Sequence, residues 1–203
     1  ILGNGITEIE KDGELVGELA ESWEPSADAK TWKFKLRSGV TFHNGKAMTS
    51  ADVVYSINLH RGEGSKSGAA GILSAISDIR TDGPTGMIVT MNSPNMDVPY
   101  LLADFHLIVI PEGASDFTSG NVTGPYMLQE FAPGERLHAV RNPNYWKVDR
   151  AHVDELELLF VSDDTTRISG LMTGEIHMAA RVDPQSANMI NDTPGVHIEN
   201  HAA

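Results

Sequence analysis

The stretch TWKFKLRSGVTFHNGKAMTSADVVYSI, residues 31–57, decides the fold. Its first six residues alternate in character, with Trp32, Phe34 and Leu36 on one face and charged residues between them. A period of two is typical of a strand with one buried face. We therefore predict a strand over 31–36 that is buried on its apolar face.

A helix is predicted to follow this strand. Asn44-Gly45 supplies a turn between the two elements, because glycine tolerates a positive φ. Thr49 has the character of a helix N-cap, and Asp52 is placed to complement the positive end of the helix dipole. Apolar residues at helical spacing come next, so we predict a helix that begins near Ser50.

The same rules of periodicity and punctuation place further elements along the chain. The predicted strands span 76–79, 87–91, 107–110, 126–131, 136–141, 153–161 and 196–198. The predicted helices span 69–76, 98–103, 165–173 and 184–190. Asp163 or Asp164 is expected to cap the helix over 165–173, and Gly174 to end it.

Composition excludes several classes of protein. The chain has 203 residues, a formal net charge of −13 and 40% hydrophobic residues. The acidity disfavours a nucleic-acid partner, because such proteins normally present a basic face, while the hydrophobic fraction is enough for a folded core. No run of about 18 apolar residues occurs, so we expect no direct insertion into a membrane. The absence of cysteine excludes disulfides and thiolate chemistry.

The sequence offers no pattern for catalysis or for a protein-built metal site. Its eight histidines are scattered over different predicted elements: His43, His60, His106, His138, His152, His177, His197 and His201. They form no H-E-x-x-H motif and no pair four residues apart on a predicted helix. A G-x-S-x-G nucleophile motif is also absent from the sequence. We therefore expect no enzymatic activity, no metal site and no cofactor.

Two long motifs carry a family resemblance. The first is W-x-F-x-L-R-x-G-V-x-F-H-N-G followed by T-x-x-D-V-V-Y-S, over residues 32–56. The second is T-G-P-Y, F-x-x-G-E and R-N-P-N-Y-W, over residues 123–146. In this order and spacing they resemble the signatures of extracytoplasmic, or periplasmic, solute-binding proteins of family 5. These are the peptide-, opine- and nickel-binding receptors of ABC transporters, and the resemblance covers nearly the whole chain.

The resemblance implies a fold and a division of the chain. It implies a mixed α/β architecture: a partial lobe of a two-lobed fold of the periplasmic-binding-protein-like II type, with an inserted α+β subdomain. Residues 1–18 and 123–203 would form the core of this lobe, truncated at the hinge, and residues 19–122 the inserted subdomain. We expect the chain to be a fragment with half of the binding cleft. The opposite lobe and any signal peptide would lie outside it.

A first group of candidate ligand-binding residues lies near the start of the chain. In the resembled family, the segment that corresponds to residues 2–6 lies at the cleft, where its backbone contacts ligand. This makes Asn4, Gly5 and Ile6 candidates. The alternative interpretation of the segment is a strand end with a turn.

A second group lies at a helix-to-strand corner that borders the cleft in the resembled family. The candidates are Asp104, Phe105 and His106. Asp104 would suit an amine, a guanidinium or a metal-bound solute. The alternatives are a solvated aspartate at a helix end and a hydrogen-bonded structural histidine.

The function implied by the resemblance is that of a receptor. The chain would belong to the substrate-binding component of an ABC importer, located in the periplasm or otherwise outside the cytoplasm, which delivers its solute to permease subunits. A peptide is the first choice of solute, and a nickel chelate, an opine or an oligosaccharide is the alternative. A sensory or structural module on the same scaffold, without transport, also stays open.

Overall fold

A computed structural model describes residues 1–199. Its strands are β1 (Thr7–Ile9), β2 (Leu15–Gly17), β3 (Ala20–Pro25), β4 (Thr31–Leu36), β5 (Ile76–Thr81), β6 (Gly86–Met91), β7 (Tyr126–Ala132), β8 (Arg136–Arg141) and β9 (Glu155–Leu159). Its α-helices are α1 (Ser50–Asn58), α2 (Ala70–Leu73), α3 (Val98–Leu101), α4 (Asp164–Thr173) and α5 (Ala187–Asn191). A 3₁₀ turn, Pro184–Ser186, precedes α5. The predicted mixed α/β class is confirmed.

The chain forms two compact units. The first contains residues 1–129 and 138–156, and the second contains residues 130–137 and the chain from 157 onward. β1 and β2 form an antiparallel pair, and a four-stranded antiparallel sheet has the order β3-β4-β6-β5. A third sheet has the order β7-β8-β9. The predicted division at residues 18 and 122 stays a prediction.

Strand β4 lies inside the four-stranded sheet, where its alternation places the aromatic face in the core. Trp32, Phe34 and Leu36 are 3%, 2% and 1% exposed. Phe34 pairs with Met87 of β6, so the predicted strand supplies the centre of the hydrophobic core. The prediction for residues 31–36 is confirmed.

Helix α1 begins where its capping signal predicts. Thr49 is the N-cap, and Oδ2 of Asp52 accepts hydrogen bonds from the Thr49 N–H at 2.8 Å and from the Thr49 hydroxyl at 2.9 Å. Oδ1 of Asp52 pairs with Lys46 and accepts from the backbone N–H of Glu112 at 2.7 Å. The Asp52 side chain is fully buried, so this carboxylate ties the helix start to the turn before it and to a distant loop.

Two predicted strands are absent. Residues 107–110 are extended, but their backbone groups bond outside any ladder: the Val109 N–H donates to the Asn4 carbonyl at 3.1 Å, and the Ile110 N–H donates to Oγ of Ser56 at 2.9 Å. Residues 196–198 also lie outside any strand. An apolar run predicts burial and extension, whereas a strand also needs an open sheet edge beside it.

In the second unit, helix α4 carries the predicted caps. The Asp163 side chain accepts the Thr166 N–H at 2.7 Å, and Gly174 ends the helix in the left-handed conformation with φ of 79°. Only glycine adopts this conformation without a steric cost. Among residues 1–199, no helix is both long enough and apolar enough to cross a membrane.

Candidate functional site

The side chain of Asn4 is the centre of a buried polar network. It is 3% exposed, and its Nδ2 donates to Oε1 of Glu18 at 2.5 Å and to the Tyr145 hydroxyl at 3.0 Å. Its Oδ1 accepts from the Thr123 hydroxyl at 3.1 Å and from the indole N–H of Trp146 at 3.4 Å. Both donors and the acceptor of the amide are therefore occupied.

The backbone of the next two residues is also held internally. The Gly5 N–H donates to Oε2 of Glu18 at 2.7 Å, and the Gly5 carbonyl accepts the Leu19 N–H at 3.2 Å. The Ile6 carbonyl accepts the Ala20 N–H at 2.9 Å, and its side chain is fully buried. These bonds fix the shape of the segment. A direct solute contact by these backbone groups stays a prediction.

Glu18 is the residue that sequence reasoning missed. One carboxylate holds both the Asn4 side chain and the Gly5 backbone, and burial raises the pKa of Glu18 above its ordinary value of 4.5. The hydrogen bonds from Asn4 and Gly5 oppose this rise in pKa, as does the charge of Lys147. The only signal in the sequence is an acidic residue directly before the apolar pair at 19–20.

Tyr145 and Trp146 close the other side of the network. Trp146 packs against the hydrophobic core, and the Arg37 guanidinium lies 4.9 Å from the centre of its ring. Arg37 also donates from Nε to the Glu18 carbonyl at 2.6 Å. Trp146 is therefore a packing residue, and both aromatic residues also hold the Asn4 amide in place.

The second predicted stretch lies directly beside the first. The Thr7 hydroxyl donates to the Pro99 carbonyl at 2.6 Å, and the Asn4 carbonyl accepts the Val109 N–H at 3.1 Å. Segment 4–7 and the corner 99–109 therefore form one continuous surface within the first unit. Nearly a hundred residues separate them in the sequence.

At the corner itself, Asp104 and His106 form a local pair. Oδ1 of Asp104 accepts both Nδ1 of His106 at 2.7 Å and the His106 backbone N–H at 2.9 Å. Burial acts to raise the pKa of Asp104, but the hydrogen bonds and charge of His106 hold it below its ordinary value of 3.8. Phe105 is 79% exposed, and its ring centre lies 4.0 Å from that of His106.

A second histidine lies behind this pair. Nδ1 of His60 is 2.7 Å from the Ser67 hydroxyl. Burial lowers the pKa of His60, and the neighbouring His106 lowers it further, against the opposing charge of Asp104. Within residues 1–199, no group of three or more potential ligand side chains could hold a metal ion, and His201 lies outside the described residues.

The two histidines lie at one side of a groove of about 420 Å³ in the first unit. It is lined by Leu59, His60, His106, Ile108, Ile110, Pro111, Ala114, Asp116, Phe117, Ser119, Gly120, Asn121 and Val122. The sequence predicted no groove here, because residues 112–122 carry no periodic pattern. Their position is set by long-range bonds such as that from the Tyr55 hydroxyl to the Ala114 carbonyl at 2.9 Å.

Comparison with known proteins gives related chains of greater length. The nickel-binding periplasmic protein of Escherichia coli (strain K12) is 26% identical over 181 residues, which are 85% of this chain and 34% of that protein. Di/tripeptide-binding protein 1 of Pseudomonas aeruginosa (strain UCBPP-PA14) is 24% identical over 228 residues, 98% of this chain and 42% of that protein. The structure of the binding protein AgaA from A. tumefaciens R10, in complex with agropinic acid, is 28% identical with a TM-score of 0.88. That match covers 95% of this chain and 40% of AgaA.

The chain therefore spans between about a third and two-fifths of the length of these relatives. The fold match at high TM-score agrees with the predicted partial lobe. A family model described as bacterial extracellular solute-binding proteins, family 5 Middle, matches residues 14–203. Because that match includes most of the sequence, the chain belongs to family 5 of the bacterial extracellular solute-binding proteins.

Proposed function

We propose that this chain is part of the substrate-binding component of an ABC importer, in which it forms one side of the cleft that captures a solute. The whole receptor would act outside the cytoplasm, in the periplasm of a Gram-negative cell, and would deliver its solute to permease subunits. Capture between two lobes needs no covalent step, so the receptor would not be an enzyme. Membership of a solute-binding family supports this proposal.

The observation that carries the proposal is the contact between the two stretches assigned to the cleft. The Val109 N–H reaches the Asn4 carbonyl at 3.1 Å, and the Thr7 hydroxyl reaches the Pro99 carbonyl at 2.6 Å. Because the polar groups of Asn4 and Gly5 are already bonded, this surface is rigid before a solute arrives. A preorganised surface loses less conformational entropy on binding than a flexible one.

We propose a peptide as the solute, with a nickel chelate, an opine or an oligosaccharide as alternatives. The names of the relatives support this range: one is a nickel-binding protein, one a di/tripeptide-binding protein, and one was solved with agropinic acid. Asn4, Gly5, Ile6, Asp104, Phe105 and His106 are the proposed contact region. Within it, the exposed ring of Phe105 is the group most available to a solute.

One lobe should bind weakly by itself. A receptor with micromolar affinity binds with roughly −8 kcal/mol, so losing about half of the contacts leaves millimolar affinity or weaker. Submicromolar binding of any of these solutes by the 203-residue chain alone would contradict the half-cleft proposal.

The test is a thermal-shift screen of the complete gene product with peptides, nickel chelates, opines and oligosaccharides. A ligand that binds the folded state raises the melting temperature by mass action. A hit in one class would support the receptor and identify the solute. A well-folded product with no hit in any class would instead favour the sensory or structural module.

A further inference from the structure

The groove beside His106 has the size and lining of a small-molecule site. Its volume of about 420 Å³ lies within the range of known ligand pockets, roughly 300–1,000 Å³. Leu59, Ile108, Ile110 and Val122 give it apolar walls, and Phe117 lies among them with 67% of its surface exposed. Such a surface favours a ligand with an apolar body.

One side of the groove offers a hydrogen-bond acceptor. The carboxylate of Asp104 can only accept, so the proton shared at 2.7 Å lies on Nδ1 of His106. Nε2 of the neutral ring then carries a lone pair. No residue in the described part of the chain donates a hydrogen bond to this atom, while the His106 side chain is 37% exposed. The groove therefore calls for a ligand with an N–H or O–H donor.

The charges around the groove favour a cation over an anion. No lysine or arginine is among its lining residues. The lining carboxylate, Asp116, accepts the Thr118 hydroxyl at 2.7 Å and the Thr118 N–H at 2.9 Å, and these bonds lower its pKa and keep it ionised. His60 is held in its uncharged form by burial, so it does not supply a positive charge to a carboxylate.

We propose that this groove binds a primary amine with an apolar body. The ammonium group donates to Nε2 of His106, Asp116 supplies the negative potential, and the body packs against Ile108 and Phe117. An exposed aromatic ring also attracts a nearby cation through its face. The proposal deepens the proposed function, on which any role in import rests, because His106 belongs to both the groove and the predicted contact region.

The experiment is a titration of the 203-residue chain with tryptamine, followed by NMR. Indole-3-propionate, which carries a similar ring and the opposite charge, is the matched ligand. We expect tryptamine to shift resonances of His106 and Phe117 in a saturable manner and indole-3-propionate to bind about tenfold more weakly, the size of one hydrogen bond to a charged group. Equal binding of the two, or binding of neither, would overturn the proposal.

Variants locate the site and guard against loss of folding. His106→Phe and Asp116→Asn should each weaken tryptamine binding, and Asp116→Asn alters an exposed residue. Phe160→Ala, which changes a half-exposed ring of the second unit, should leave the affinity unchanged. Unchanged binding in Asp116→Asn and His106→Phe would contradict the proposed site.

An imidazole lone pair is also a metal ligand, so a titration with Ni²⁺ alone is included. Binding of Ni²⁺ that is lost in His106→Phe, with no binding of tryptamine, would overturn the amine proposal. The solute screen of the complete gene product separates the two proposals. Tryptamine binding without a screen hit removes only the receptor, and a screen hit without tryptamine binding removes only the amine groove.

Discussion

The side-chain amide of Asn4 donates a hydrogen bond to Oε1 of Glu18 at 2.5 Å, and the other oxygen of the same carboxylate accepts the Gly5 N–H at 2.7 Å. A single side chain therefore sets both the rotamer of a candidate contact residue and the path of the backbone after it. We infer that Glu18 positions the segment without having to contact a solute itself.

Removing this carboxylate should destabilise the first unit. In Glu18→Ala, Nδ2 of Asn4 and the Gly5 N–H each lose an acceptor in a buried setting, which should lower the free energy of unfolding by about 2 kcal/mol. Urea denaturation measures this change. Glu14→Ala is the control, because Glu14 is exposed, and its effect should stay below about 0.5 kcal/mol. Equal effects of the two substitutions would contradict the positioning role.

The same carboxylate should give stability a specific pH dependence. Burial raises the pKa of Glu18 above 4.5, so the folded chain keeps this proton to a higher pH than the unfolded chain. The stability linked to the proton is complete below the unfolded pKa and is lost as pH rises through the folded pKa.

We expect the free energy of unfolding of the wild type, relative to that of Glu18→Gln, to fall as pH rises from about 4 to about 7. Glutamine has a similar shape and does not titrate, so the difference isolates this one group. Urea denaturation at several pH values provides the measurement. Parallel curves for the two proteins would show that the Glu18 pKa is not raised by folding.

Much of the fold follows from local patterns. The alternation in 31–36, the Thr49 cap and the Gly174 terminus each depend on residues within one turn or one strand, so the sequence alone predicts them. Residues 107–110 carry the same apolar signal as a strand, yet no strand forms. Their nearest backbone partners are a loop carbonyl and a serine hydroxyl instead of a sheet edge.

The candidate site could be predicted only in part. Family resemblance gave the two stretches around Asn4 and Asp104, and the structure brings them together. The partners of Asn4, however, include Thr123 and Tyr145, which are 119 and 141 positions away. Periodicity describes neighbours within an element, so it holds no information on such a network or on the groove beside His106.

The buried ion pair at the start of α1 should be a second point of high sensitivity. Asp52 is fully buried and pairs with Lys46. Asp52→Ala would leave the donors from Thr49 and Glu112 without an acceptor, so we expect a loss of about 3–5 kcal/mol in the free energy of unfolding. The control is Asp78→Ala, which breaks an exposed pair with Arg80 and should cost less than about 1 kcal/mol. Similar losses in calorimetry would refute the special place of Asp52.

Gly68 should control the position of the His106 ring. A Cβ atom at residue 68 would lie 2.8 Å from Nε2 of His106, whereas a Cβ at Gly71 would meet no atom within 4 Å. Gly68→Ala should therefore displace the ring, change its NMR chemical shifts and destabilise the fold by about 1–3 kcal/mol. Gly71→Ala in α2 should leave the His106 resonances in place and stabilise the helix slightly. If Gly68→Ala also left the His106 spectrum unchanged, the close packing of this ring against residue 68 would be wrong.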